Sequence, residues 1–158
     1  MKDSKQPSIG PIGHFTVEDI DGLAHDFAYE LRRLSAKDKD ADRRQAARTA
    51  LAAYEHAGED EDELKRFVEE IGREALESYC LPYMHFGAAT TGEYGFWPDL
   101  EGLEEAVHCE DVAKVNAGDA WPPMWTPAGQ GIQFVMEVND HGNVSLYKRS
   151  RVEVWSCV

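Results

Sequence analysis

The chain lacks several features that would assign it to a class of protein at once. Its 158 residues contain no run of about eighteen apolar residues, so no segment is predicted to cross a membrane. It begins MKDSKQPSIGPIG, which lacks the apolar core of a secretion signal. Its three cysteines, Cys80, Cys109 and Cys157, are odd in number and widely spaced, which disfavours a disulfide framework. These absences predict a cytoplasmic protein with reduced thiols.

Basic residues are also scarce. Sixteen Lys and Arg stand against thirty Asp and Glu, giving a formal net charge of −14. Such a surface repels phosphates, so direct binding to nucleic acid or to an anionic membrane is not expected. Two interpretations stay open: the charge keeps the protein soluble, or the acidic surface docks on the basic surface of a partner. Residues 1–80 hold 19 acidic and 12 basic side chains and residues 81–158 hold 11 and 4, so the acidity belongs to the folded surface.

Helical periodicity dominates the first half, after a polar lead over residues 1–13 that is predicted to be disordered. A first helix is expected from about Thr16, its N-cap, to Ser35, with apolar residues at helical spacing. A second is expected over residues 41–57, where Gly58 is a natural stop. A third begins with five consecutive acids, residues 59–63, which suit the positive end of the helix dipole.

Short apolar and aromatic runs dominate the second half. Strands are predicted at residues 83–86, 94–97 and 111–116, a short helix capped by Asp99 lies between them, and an aromatic loop spans residues 118–131. Residues 134–158 have the pattern of an antiparallel three-strand meander. The predicted fold is therefore α+β: three N-terminal helices packed with a mostly antiparallel, four- to five-stranded sheet that ends in the meander. The predicted parts are the lead, a helical region 14–80 and an α+β sheet region 81–158, the last two forming one compact unit.

No catalytic, metal or cofactor motif stands out. There is no phosphate-binding glycine loop and no nucleophile elbow, and no paired short spacing of Cys and His suggests zinc, so no cofactor and no metal are expected. An alternative is a small enzyme, a hydrolase or transferase, in which His85, Glu93, Asp140 and His141 converge. The competing interpretation of residues 139–143 is a tight hairpin loop, because Asn, Asp and Gly tolerate positive φ.

Two kinds of residue are candidates for binding a partner. The loop residues Trp121, Met124 and Trp125, stiffened by two prolines, are typical of an apolar interface anchor, although the loop can instead fold back over the sheet. Acidic clusters can steer a basic partner or mimic a row of phosphates, and the alternative is a solvated face. The acidic candidates are Glu59, Asp60, Glu61, Asp62, Glu63, Glu101, Glu104 and Glu105.

Two strings, PYMHFGAATTGEYGFWPDLEGLEE and VNDHGNVSLYKRSRVEVWSCV, resemble a small domain family of unknown function that occurs in phages, plasmids and other mobile elements. The resemblance covers about residues 80–158 and implies no catalytic residue. What it implies is genetic context, because accessory genes of mobile elements often encode small acidic proteins that block host defences. The matched positions are Phe86, Gly87, Tyr94, Gly95, Phe96, Trp97, Pro98, residues 138–144, Leu146, Tyr147 and Trp155.

The first functional hypothesis is therefore an acidic, protein-binding inhibitor that acts in the host cytoplasm. It would block a host defence nuclease or nucleic-acid-binding complex, in the manner of anti-CRISPR or antirestriction proteins, with nucleic-acid mimicry as one means. Its partner would be a host protein or nucleoprotein complex with a basic surface. Neither free nucleic acid nor a membrane is expected as a partner. The small enzyme is one alternative, and a homodimeric structural or regulatory protein whose N-terminal helices pair is another.

Overall fold

A computed structural model describes residues 7–124, 129–149 and 152–157. The chain forms two compact units. The first comprises Met1–Cys80 and Met84–Trp97, and the second comprises Leu81–Tyr83 and Pro98–Val158. Helices precede most of the strands and both occur in each unit, which confirms the α+β class. The sequence predicts a boundary near residue 80, with the helices before it and the strands after it. In the structure the segment Met84–Trp97, which follows this boundary, belongs to the same unit as the helices.

The helices of the first unit begin at acidic caps. Helix α1 spans Ile20–Ser35, and the Asp19 side chain accepts a hydrogen bond from the Gly22 amide at 2.9 Å. The predicted cap Thr16 is wrong, because Thr16 instead ends a strand. Helix α2, Ala41–Ala57, begins after Asp40 and ends before Gly58, whose φ of 56° favours glycine. The predicted third helix is one helical run made of α3 (Glu61–Arg66), a π-helical turn (Phe67–Ile71) and α4 (Gly72–Glu77).

Three strands complete the first unit: β1 (Gly10–Thr16), β2 (Met84–Ala88) and β3 (Glu93–Pro98). They form an antiparallel sheet in the order β1-β3-β2, so β2 lies at an edge. Strand β1 corrects the prediction of disorder for residues 10–13 of the lead, whereas residues 1–6 lie outside the described residues. It is held by pairing with β3 and by packing on α1. The Phe15 ring of β1 lies directly against Gly22 of α1, where an added Cβ atom would come within 2.4 Å of a ring carbon.

An aromatic cluster forms the centre of the first unit. The Phe27 side chain of α1 is fully buried, and its ring centroid lies 5.1 Å from that of Phe86, 5.2 Å from Tyr94 and 6.3 Å from Phe67. These edge-on contacts join α1 to β2, β3 and the π-helical turn. Phe67 also packs on Gly72, where a Cβ would come within 2.8 Å of the ring. The cluster thus fixes the π-helical turn against the sheet.

The second unit contains helix α5 (Leu100–His108) and a four-stranded sheet. The strands are β4 (Val112–Asn116), β5 (Phe134–Val138), β6 (Val144–Lys148) and β7 (Val152–Cys157), in the order β4-β5-β6-β7. The predicted meander, β5 to β7, is confirmed as antiparallel, whereas β4 pairs parallel to β5. The chain therefore has two sheets where one sheet of four to five strands was predicted. The residues buried in this unit include Leu103, Val112, Val135, Leu146 and Trp155.

The remaining segments of the second unit are tied to its sheet. The Trp155 indole donates to the Pro82 carbonyl at 2.9 Å, and the Tyr83 and Phe134 rings meet edge to face at 6.0 Å. These contacts explain why Leu81–Tyr83 belongs with the later residues. No helix in the described ranges is long and apolar enough to cross a membrane.

Candidate functional site

The negative charge of the first unit is concentrated on one helical segment, residues 59–77, which we call the acidic helix. It contains nine Asp and Glu and three Lys and Arg, so it carries a formal charge of −6 of the total −14. All nine acidic residues are exposed. The segment folds this way because Asp60 caps it, accepting from the amides of Asp62 and Glu63 at 3.1 Å, and because the acids of the first turn favour the helix dipole.

The basic residues of the acidic helix neutralise it only weakly. Arg66 lies 3.7 Å from Glu63 and 3.8 Å from Glu70, and Lys65 lies 3.9 Å from Glu69. Every one of these side chains is about half exposed or more, and exposed pairs of this kind stabilise by about 0–1 kcal/mol. The carboxylates are therefore open to exchange these partners for cations of another molecule.

The second unit also concentrates its charge, in residues 99–111, which we call the acidic corner. This segment contains six Asp and Glu and no Lys or Arg. Asp99 caps α5 by accepting from the Gly102 amide at 2.9 Å, as predicted. Glu101, Glu104 and Glu105 are exposed along α5, and Glu104 pairs with Lys114 of β4 at 2.8 Å. Both predicted acidic clusters are thus present on the surface, each within its own unit.

A groove of about 540 Å³ lies beside the acidic helix in the first unit. One wall is the π-helical turn and α4, and the other is β2. The Glu77 carboxylate of α4 accepts a hydrogen bond from the Phe86 amide of β2 at 2.7 Å, which joins the two walls. The lining residues are Glu69, Glu70, Arg73, Glu74, Glu77, His85 and Phe86.

The chemistry of this groove suits a cation. Four carboxylates against one guanidinium give a negative lining. Among the residues that the structure describes, no group of three or more His, Cys, Asp and Glu is arranged to hold a metal ion. Ammonium or guanidinium groups remain as suitable occupants, since carboxylates bind them through charge-assisted hydrogen bonds.

Sequence reasoning did not identify the helical residues of the groove, although a signal was present. Glu70, Glu74 and Glu77 are spaced by four and three residues, which places them on one face of a helix. The part played by β2 had no such signal, because its position depends on tertiary structure.

The predicted apolar anchor is only partly exposed. Trp121 packs against the buried Ala113, Ile132 and Val135, and its ring centroid lies 5.6 Å from that of Tyr147. Trp121 thus folds back onto the sheet, whereas Met124 is 66% exposed. Trp125 lies outside the described residues.

Arg149 anchors the start of the same loop. Its Nη2 atom donates to the Pro122 carbonyl, and its Nη1 atom is buried with no hydrogen-bond partner in the part of the chain described. The loop is therefore held at Trp121 by packing and at Pro122 by a side chain of the segment after β6.

The residues of the enzyme alternative are divided between the units. His85 and Glu93 belong to the first unit, and Asp140 and His141 belong to the second. Asp140 and His141 are 87% and 80% exposed in a hairpin loop, where the Asn139 side chain accepts from the amides of His141 and Asn143 at 2.9 Å. The loop thus has the turn chemistry that its composition predicts. Glu93 accepts from the Thr91 hydroxyl at 2.9 Å.

Cys80 lies three residues after Glu77, a residue that lines the groove. Burial, with a smaller effect of the Glu77 charge, raises the pKa of Cys80 to about 12. A thiol with this pKa stays protonated at neutral pH, and thiols react as nucleophiles through the thiolate. Cys80 is therefore a packing residue beside α4. All three cysteines are free.

Comparison of the chain with protein-family models, with curated proteins and with solved structures finds no match. The function is therefore inferred from the residues themselves.

Proposed function

We propose that this chain is an acidic protein-binding inhibitor that captures a basic protein or nucleoprotein complex. The observation that supports the proposal is the concentration of charge. The acidic helix and the acidic corner together make up 32 of the 158 residues and carry a formal charge of −12 of the total −14. Charge that served only solubility could be spread evenly over the surface. Clustered charge, in contrast, steers a basic partner to a defined surface.

The length and charge of the acidic helix are compatible with mimicry of one nucleic-acid strand. Its 17 helical residues, Glu61 to Glu77, span about 25 Å at a rise of about 1.5 Å per residue. One strand of DNA carries about seven phosphates over that length. The same helical residues contain seven carboxylates, although three basic residues lower the net charge. A basic groove built for a nucleic-acid strand is therefore a suitable partner surface.

The host setting of the proposal comes from the resemblance of residues 80–158 to a family from mobile elements. In that setting the partner is a host defence nuclease or nucleic-acid-binding complex of the kind that anti-CRISPR and antirestriction proteins block. Binding would be steered by the acids, with Met124 as an exposed apolar contact.

Capture from a bacterial lysate tests the proposal, with and without nuclease treatment. We expect one basic protein to be retained after nuclease treatment and to lose its binding to DNA or RNA as this chain is added. Lysine at Glu59, Glu61 and Asp62 should weaken capture about tenfold or more, since each lost pair costs about 0.2–1 kcal/mol and each new like-charge contact adds to that. Asp60 is left in place because it caps the helix.

The matched control reverses three exposed acids elsewhere, Glu55, Asp119 and Asp140, and so makes the same change in net charge. Circular dichroism confirms that both variants are folded. Equal capture by the two variants would reject the proposal, because it would show that net charge and not the acidic helix determines binding.

A further inference from the structure

The groove in the first unit lies along an unpaired strand edge. Strand β2 has β3 on one side, and no other strand of the described chain pairs with it. The Phe86 amide donates to Glu77 and so points away from β3. Because residues alternate along a strand, the backbone groups of Met84 and Ala88 point to the same side. The groove, whose lining includes Phe86, therefore reaches this edge of the sheet.

Glu77 takes the place of a neighbouring strand at this edge. Its carboxylate oxygen lies 2.7 Å from the Phe86 nitrogen, where the carbonyl oxygen of an added strand would accept the same hydrogen bond. Free strand edges are templates for pairing with another chain, and native proteins often block them with charged side chains. A cationic strand can displace the Glu77 carboxylate from the Phe86 amide, because the displaced carboxylate can then pair with a cationic side chain of the incoming strand.

The opposite wall determines which strand would fit. Glu70 and Glu74 project from the helical wall, and Glu69 lies beside them in the π-helical turn. A volume of about 540 Å³ is typical of a ligand-binding cleft and admits a few side chains. An extended peptide pairs through its backbone and presents every second side chain to the same wall. Charge complementarity requires those side chains to be basic.

We propose that this groove binds an extended basic segment of a protein partner, which adds a strand to the free edge of β2. Its alternate side chains contact Glu70 and Glu74, with arginine favoured over lysine because the guanidinium group binds a carboxylate through two hydrogen bonds. The proposal deepens the function proposed above and rests on it for the basic nature of the partner.

Fluorescence anisotropy with a labelled eight-residue peptide of alternating arginine and threonine tests this mode of binding. Two further peptides serve as probes: one with N-methyl groups on alternate backbone amides, which keeps the charge and blocks strand pairing, and one with glutamate in place of arginine. We expect the first peptide to bind, N-methylation to weaken binding about tenfold through the loss of main-chain hydrogen bonds, and the glutamate peptide not to bind.

Variants of the protein locate the binding. E70Q/E74Q should weaken the arginine peptide about fivefold, whereas E55Q/D140N, the same charge change at exposed positions outside the acidic helix and the acidic corner, should alter binding less than twofold. Nuclear magnetic resonance should show amide shifts within Met84–Ala88 when the peptide binds wild-type protein.

The outcomes separate this inference from the proposed function. Equal binding of the N-methylated peptide, or equal weakening by the two double variants, would overturn strand addition and leave charge-driven capture of the partner standing. No binding of the arginine peptide would overturn it as well. Peptide binding with the expected pattern would support strand addition whatever the lysate experiment shows. Capture from lysate that does not depend on Glu59, Glu61 and Asp62 would reject only the proposed function.

Discussion

The two units of this chain carry similar negative charge and present it differently. The first holds 20 acidic and 12 basic side chains, and the second holds 10 and 4. In the first unit nine of the 20 acids lie on the acidic helix, which forms one wall of a groove whose other wall is β2. In the second they lie around the short helix α5, where Glu104 is paired with Lys114. The two units thus differ in that an adjacent strand completes a groove beside the acids of the first.

The same contrast holds for the packing of the units. The first depends on aromatic rings that connect helices to the sheet, with Phe27 at their centre. The second buries aliphatic side chains such as Val112, Val135 and Leu146 between paired strands. Since the groove wall is fixed to this aromatic cluster through Phe67 and Phe86, its shape depends on buried aromatic side chains as well as on the acids.

The largest expected effect comes from removing the centre of that cluster. Phe27→Ala should lower the free energy of unfolding by about 3–5 kcal/mol, because it leaves a cavity among rings that cannot close around it. Urea denaturation measures the loss, and hydrogen exchange should show it in α1, β2 and β3. Tyr29→Ala is the control on the same helix: Tyr29 is 61% exposed, so a change within about 0.5 kcal/mol is expected. Similar losses for both variants would contradict the central role of Phe27.

Local signals account for the elements that the sequence predicted well. The bounds of α2 follow from Asp40 before it and Gly58 after it, and the start of α5 follows from Asp99. The loop between β5 and β6 is built on Asn139. Each of these features depends on residues within a few positions of one another, so sequence is sufficient to find them.

Elements that depend on distant residues were not predicted. Strand β1 has a linker-like composition, with Gly10, Pro11 and Gly13, and becomes a strand because β3 pairs with it some eighty residues later. The same holds for the parallel pairing of β4 with β5 and for the division into two sheets, because no local pattern in the sequence indicates which strands pair. The candidate site divides in the same way: composition identified the acidic clusters, and only the tertiary structure placed β2 beside the acidic helix.

An ion pair of the first unit with a buried carboxylate and a partly exposed arginine gives the next largest effect. Arg43 Nε and Nη2 donate to the Asp38 carboxylate at 2.8 and 2.9 Å, and the Asp38 side chain is 8% exposed. The Arg43 guanidinium holds the pKa of Asp38 well below its ordinary value, against the opposing effect of burial. Asp38→Asn should therefore lower the free energy of unfolding at pH 7 by about 1–3 kcal/mol.

The pH dependence of this effect has a definite sign. Because the pKa of Asp38 is lower in the folded than in the unfolded chain, its stabilisation is complete above the ordinary carboxyl pKa of about 4 and is lost as the pH falls below it. The difference in stability between wild type and Asp38→Asn should shrink in urea denaturation at pH 3. Asp140→Asn, at an 87% exposed position, is the matched control. A constant difference between pH 7 and pH 3 would count against the Asp38–Arg43 pair as its source.

The smallest effect is expected for the corresponding pair of the second unit, Glu104 and Lys114. The two atoms lie 2.8 Å apart, as close as the Asp38–Arg43 pair, but the side chains are 53% and 45% exposed. Water screens the attraction and both long side chains lose rotamer freedom, so a double-mutant cycle with Glu104→Gln and Lys114→Met should give about 0.2–1 kcal/mol, less at high salt. A coupling well above 1 kcal/mol would show that Lys114 holds Glu104 firmly, and would leave five of the six carboxylates of the acidic corner open to a basic partner.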